Sequence, residues 1–123
     1  MTVILSIKPE FANKIFEGTK KYEFRRVIFK NPNVKKVVVY SSSPIQKIIG
    51  EFEIEYIINH ELEMLWDETK NYSGISEEFF FQYFADKLRG FAIKIKNTKL
   101  YSTPKCIRED YHLSPPQSFL YLI

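Results

Sequence analysis

The sequence predicts an α+β fold: a small, mostly antiparallel sheet, curled or closed into a barrel, with two or three helices set between five or six strands. Three observations carry this. Residues 46–58, QKIIGEFEIEYII, alternate apolar and acidic side chains over a long stretch, as a strand with one wet face does. Segments beginning at Pro9, near residue 61 and at Ser76 instead repeat their apolar residues at helical spacing. The chain has 123 residues, 45% apolar and 16% aromatic, which suits one domain spanning 1–123 with a real core.

Taken in order, VILSI at 3–7 is a short apolar run and reads as a buried strand. Pro9 stands where a helix begins and Gly18 where it ends, with Phe11, Ile15 and Phe16 on one face, so 9–17 is a two-turn helix. KKYEFRR, 20–26, alternates as a strand, with Tyr22 and Phe24 on one face and Lys21, Glu23 and Arg25 on the other. KNPN at 30–33 is a turn, VKKVVVY at 34–40 a central β-branched strand, and SSSP at 41–44 a polar loop. In 46–58, Ile48, Phe52, Ile54, Tyr56 and Ile58 face one way and Glu51, Glu53 and Glu55 the other, and Gly50 marks a bulge or bend.

Leu62, Leu65 and Trp66 predict a helix over 61–70. Ser76 followed by Glu77 and Glu78 reads as a capped helix start, with Phe80, Tyr83, Phe84 and Lys87 or Leu88 forming its stripe. The run FFFQYF is read as core rather than as a ligand platform. Residues 91–101 alternate again after Gly90, with Pro104 closing the strand. CIREDY at 106–111 holds a helical turn, SPPQ at 114–117 is a rigid loop, and SFLYLI at 118–123 is a terminal strand.

Composition excludes several chemistries. The four glycines lie too far apart for GxGxxG or a P-loop. Two histidines, His60 and His112, offer no HExxH, and one cysteine, Cys106, makes neither a disulfide nor a multi-cysteine zinc site. No metal or cofactor is expected, and any catalysis must use lysine, carboxylate, tyrosine or hydroxyl groups. No apolar run approaches the roughly 18 residues of a membrane span. MTVILSIKPE lacks the basic start of a signal peptide, so the cytoplasm is the expected compartment.

The net charge of +3 hides segregation. Residues 1–50 carry ten Lys/Arg against three acids, 51–86 one lysine against ten acids, and 87–123 seven basic residues against two acids. If the outer segments meet in space, they form a positive surface suited to an anionic partner. If not, they are ordinary solvated faces.

The opening ILSIKPEFANKIFEGTKKYEFRR, residues 4–26, resembles the signature of ASCH domains in the PUA-like superfamily, whose G-x-K-x-x-E-x-R is filled by Gly18, Lys20, Glu23 and Arg25. VVVYSSSPIQKIIGEFEI (37–54), RGFAIKI (89–95) with YSTP (101–104), and PPQSFLYL (115–122) are similar to later parts of that family, in order. The resemblance implies a PUA-like β-barrel flanked by helices, with a cleft lined by the G-x-K-x-x-E-x-R segment and a role in binding RNA. Some small ASCH proteins are enzymes, an amidohydrolase on an acetylated cytidine and ribonucleases among them. In the amidohydrolase branch a nucleophilic threonine follows the lysine by three positions. Glu23 stands there in this chain and does not replace a hydroxyl nucleophile. The acid of that site lies on a later strand, where Glu51, Glu53 and Glu55 are the candidates.

The residues themselves support a related reading. A carboxylate beside Arg25 preorganises its guanidinium for phosphate or a base edge, and Lys20 adds a mobile charge. Tyr22 and Tyr40 offer stacking faces, although Tyr22 also suits the core. The leading expectation is therefore a nucleic-acid-binding module, for RNA or a nucleotide, using Lys20, Glu23, Arg25, Arg26 and the loop Ser41, Ser42 and Ser43. Gln117 and Ser118 are further candidates for its lining, and Lys8, Lys21, Lys35 and Lys36 for a solvated rim. The alternative is a small metal-independent hydrolase on a modified nucleoside or RNA. It would use Lys20, Glu23 and Tyr40 as catalytic residues, with Ser42 as a further nucleophile or orienter. A third reading makes acidic 51–78 a surface for a basic protein partner.

Overall fold

The computed structural model describes residues 1–122. Strand β1 (Thr2–Ile7) leads into helix α1 (Pro9–Glu17), β2 (Tyr22–Arg25), β3 (Lys36–Ser41) and β4 (Lys47–Glu61). Helix α2 (Leu62–Thr69), a 3-10 turn (Lys70–Tyr72) and α3 (Glu77–Tyr83) follow, then β5 (Arg89–Lys105), α4 (Ile107–Tyr111) and β6 (Phe119–Leu122). The strands form one six-stranded sheet in the order β2-β5-β4-β3-β1-β6. Its single parallel pair is β1 with β3, joined through α1 and β2. The other ladders are antiparallel.

The barrel expectation is corrected here, because the sheet is not closed: β2 and β6 stand at its two ends with no ladder between them. The sheet curls instead until the edge strand β2 lies near β1 and the start of β6. Arg25 of β2 reaches across that seam to the carbonyl of Ser6 and the hydroxyl of Ser118.

Burial on both faces explains the continuous apolar character of β1 and β3. Val3, Leu5, Val37 and Val39 pack with Ala12 and Ile15 of α1, Phe52 and Ile93 inside the curl. Ile4, Val38, Tyr40 and Ile48 face the other way, under Ile107 of α4. A third cluster joins Phe24, Leu65, Phe80 and Phe84 beneath α2 and α3.

The long strand β4 departs from simple alternation. Its register against β5 shifts at three places, one of them between Ile54 and Tyr56. The slip changes the phase of the pleat, so Tyr56 is 44% exposed rather than inward-facing. Gly50 is required by close approach. A Cβ there would lie 2.5 Å from the Lys99 carbonyl oxygen and 2.6 Å from the Phe16 ring. Helix α3 ends at Tyr83, sooner than its stripe suggests, so Leu88 is 88% exposed instead of packed. Strand β5 runs past Pro104 to Lys105, where it pairs with Ile48 of β4.

Candidate functional site

The site begins where α1 ends. Gly18 adopts φ 90°, which favours glycine, and the amides of Gly18, Thr19 and Lys20 all converge on the Lys14 carbonyl. This turn delivers Lys20 into the molecule, where it is 2% exposed. Its Nζ donates to the Ser73 carbonyl at 2.6 Å and lies 4.9 Å from the Phe24 ring centroid and 5.4 Å from that of Phe11. Gly74, at φ +69°, makes room for the lysine stem. A Cβ there would stand 2.6 Å from Lys20 Cβ. Burial lowers the Lys20 ammonium to a pKa of about 8, with Lys14 adding to the fall and Glu23 opposing it.

Two residues of β2 complete the floor. Glu23 is 6% exposed and its Oε2 meets Arg25 Nη1 at 3.5 Å. Burial pushes the Glu23 carboxyl up, while Lys20 and Arg25 pull it down. Arg25 donates to the Ser6 carbonyl at 3.4 Å and to Ser118 Oγ at 2.5 Å. Just beyond the strand, Arg26 Nη1 donates to the carbonyls of Tyr83 and Ala85, both at 2.8 Å, and so latches the end of α3.

These groups border a cleft of about 440 Å³ along the open seam. That volume lies within the range of pockets that hold small ligands, roughly 300–1,000 Å³. Lys20, Glu23, Arg25 and Arg26 all line it, together with Lys8 and an aromatic wall of Phe11, Phe79 and Tyr83. Gln117 and Ser118 line it as well. The Tyr83 hydroxyl donates to the Phe24 carbonyl at 3.1 Å, which fixes one end of the wall, and burial raises its pKa.

The structure does not bring the serine loop or Tyr40 to this cleft. Tyr40 is 4% exposed and packs with Ile4 and Ile107 on the other face of the sheet, because the pleat turns it away from Val39. Ser41 is 1% exposed and ends β3 paired to Lys47. Ser42 uses its amide on the Ile7 carbonyl, and neither it nor Ser43 lines the cleft. Tyr22 packs in the cluster beneath α2. The acids of β4 also lie elsewhere: Glu51 holds Lys36 at 3.0 Å and the Tyr101 hydroxyl at 2.8 Å, Glu55 meets Lys94 at 3.6 Å, and Glu53 accepts from Asn97. Glu23 is therefore the carboxylate of the cleft.

Several contributors escape a reading of the sequence. Ser73 and Gly74 hold Lys20 from more than fifty positions away, and only the SG pair hints at a special backbone. Phe79 and Tyr83 share the helical period of Phe80 and Phe84, displaced by one residue. The acidic middle of the chain does not neutralise the cleft from within. Glu63, Asp67, Glu77 and Glu78 line a separate open groove with Trp66 and Phe81.

A model of the ASCH domain family matches residues 5–98. Along the chain, an ASCH domain-containing ribonuclease from Zymomonas mobilis is 30% identical over 125 residues, covering 97% of this chain and 82% of that protein. Two Ureaplasma parvum proteins also match: ATP synthase subunit alpha at 30% over 122 residues, and large ribosomal subunit protein uL22 at 27% over 124. This chain spans only 15% and 39% of their respective lengths. Among solved structures, ASCH from Zymomonas mobilis superimposes with a TM-score of 0.91 at 26% identity, covering 99% of this chain and 87% of that one. The N-terminal domain of Staphylothermus marinus McrB reaches a TM-score of 0.52 at 13% identity, which is a likeness of fold.

Proposed function

Because the chain belongs to the ASCH domain family, we propose that it binds RNA, and that one nucleotide of the strand enters the cleft along the seam. The observation that carries this reading is the convergence of Lys20, Glu23 and Arg25 beside the aromatic wall of Phe11, Phe79 and Tyr83. Cationic and stacking groups side by side suit an unpaired nucleotide. The ribonuclease of Zymomonas mobilis, similar over 97% of this chain, supports RNA as the ligand class. The matches within a ribosomal protein and an ATP synthase subunit fit a module that works in several settings.

Fluorescence anisotropy with a labelled single-stranded RNA tests the proposal. Binding falls as salt rises, and Arg25→Lys weakens it more than Lys35→Ala. An affinity that neither salt nor either substitution alters, or no binding to RNA at low salt, refutes it.

A second reading, cleavage of the bound RNA, is favoured by the likeness to an ASCH domain-containing ribonuclease together with Lys20 in the cleft lining, whose ammonium burial lowers to about 8, toward the range a general base requires. End-labelled RNA incubated with the wild type yields fragments that Lys20→Met does not produce. Equal fragmentation by both excludes Lys20 as that base.

A further inference from the structure

A helical run leaves its last carbonyls without partners inside the run. Helix α2 and the 3-10 turn after it end at Tyr72, and three successive carbonyls from there on are received by lysines around the end of α1. The Tyr72 carbonyl accepts from the Lys21 amide at 2.8 Å, that of Ser73 from Lys20 Nζ at 2.6 Å, and that of Gly74 from Lys14 Nζ at 3.0 Å. Lysine side chains suit such an end, where the carbonyls form the negative pole of the helix. Of these three lysines, Lys20 is the one that lines the cleft.

The side chain of Ser73 shapes the turn that presents these carbonyls. Ser73 is buried, and its Oγ donates to the Ile75 carbonyl at 2.9 Å, with the Lys70 carbonyl at 3.3 Å as a second acceptor. The same oxygen accepts from the Ile75 amide at 3.3 Å. A hydroxyl bonded to the residue two positions on closes a tight turn as a backbone group would, and Gly74 supplies the φ of +69° between them. Without the hydroxyl, the Ile75 amide is left unpaired beside a buried turn. The charged neighbours of Lys20 do not fix it in this way. Lys14 on α1 repels it, and Glu23 on β2 attracts it but is shared with Arg25. The other groups against its ammonium are the rings of Phe11 and Phe24.

We infer that Ser73 is a positioning residue for Lys20: its hydroxyl closes the turn ahead of α3, which aims the Ser73 carbonyl at Lys20 Nζ and fixes the amine in the lining of the cleft. This rests on the cleavage reading and adds a residue to it. Held in this way, a neutral Lys20 amine keeps one N–H on the carbonyl, and its lone pair is left for the work of a base. Ser73 itself does not line the cleft, so it acts through Lys20 alone.

Two measurements test it. Selective NMR of the lysine side chains follows the titration of Lys20 without any RNA, and end-labelled RNA reports cleavage against pH, corrected for a control without protein. Ser73→Ala opens the turn to water, so the Lys20 midpoint rises by about one unit from its value of about 8, and cleavage at pH 7 falls about tenfold, the factor by which one unit lowers the neutral fraction. Cleavage recovers above the raised midpoint, which a damaged fold does not do. Affinity for the RNA by anisotropy holds. Ser73→Thr, which keeps the hydroxyl, retains the wild-type midpoint. Circular dichroism establishes that the variants are folded. The wild type carries a test of its own: a through-bond coupling from Lys20 Nζ to the Ser73 carbonyl carbon is expected, and its absence overturns the inference. A Ser73→Ala midpoint equal to that of the wild type overturns it too, whatever the cleavage rate. No cleavage by the wild type removes the parent reading, and the titration then decides alone whether Ser73 positions Lys20.

Discussion

Replacing Lys20 by methionine removes a buried charge and keeps most of the side chain's volume. The wild-type ammonium sits at a pKa of about 8 against an ordinary 10.5. A depressed lysine costs stability in full below the folded value, where both states hold the proton. As pH rises from about 8 to 10.5 the folded state releases its proton and the unfolded state keeps it, so stability rises through that window. The gap of about 2.5 pH units corresponds to roughly 3 kcal/mol. Lys20→Met lacks this titration. Without the Lys20 ammonium the Glu23 carboxyl rises further in the variant, and a carboxyl raised on folding loses stability as pH rises, so this change works in the same direction as the lysine's. Urea unfolding followed by Trp66 fluorescence at pH 7, 8, 9 and 10 therefore shows wild type gaining on the variant, by about five- to sevenfold in unfolding constant per pH unit between 8 and 10. Parallel curves across this range would refute the placement of Lys20 as a buried, desolvated cation.

Three further outcomes are expected. Gly74→Ala places a Cβ 2.6 Å from Lys20 Cβ at a φ of +69°, so it lowers the unfolding free energy by about 2 kcal/mol or more, read from urea midpoints. Gly50→Ala drives a methyl against the Lys99 backbone carbonyl at 2.5 Å and costs about 2 kcal/mol, with loss of amide protection along the β4–β5 ladder in hydrogen exchange. Ser76→Ala removes the hydroxyl that accepts from the Phe79 amide at 3.1 Å. It costs about 1 kcal/mol by thermal melting, and an unchanged melting temperature argues against that cap.

What was legible in the sequence was local. Pro9 and Gly18 mark α1 because each acts through its own backbone, and the helix spans Pro9–Glu17 as their spacing predicts. Ser76 likewise announces α3. The group around Lys20, Glu23 and Arg25 was visible because all three lie within six residues. Their partners were not. Ser118 meets Arg25 from 93 positions away, and Ser73 meets Lys20 from 53. Such pairings depend on how the sheet curls, which no local pattern encodes. Tyr40 and the serine loop suit the cleft by their chemistry, a stacking face and hydroxyl groups, but the pleat sends Tyr40 to the opposite face. The bulges in β4 hide in the same way, because a period of two counts residues and not the ladder they join.

A ladder of backbone bonds from β2 to β6 would have zipped the sheet shut. One arginine bridges the gap instead, from β2 to Ser6 of β1 and to Ser118 just ahead of β6. Backbone bonds look alike whatever the sequence, whereas a stitch made of side chains changes with a single codon. A fold fastened in this fashion is free to alter what it recognises without redrawing a strand.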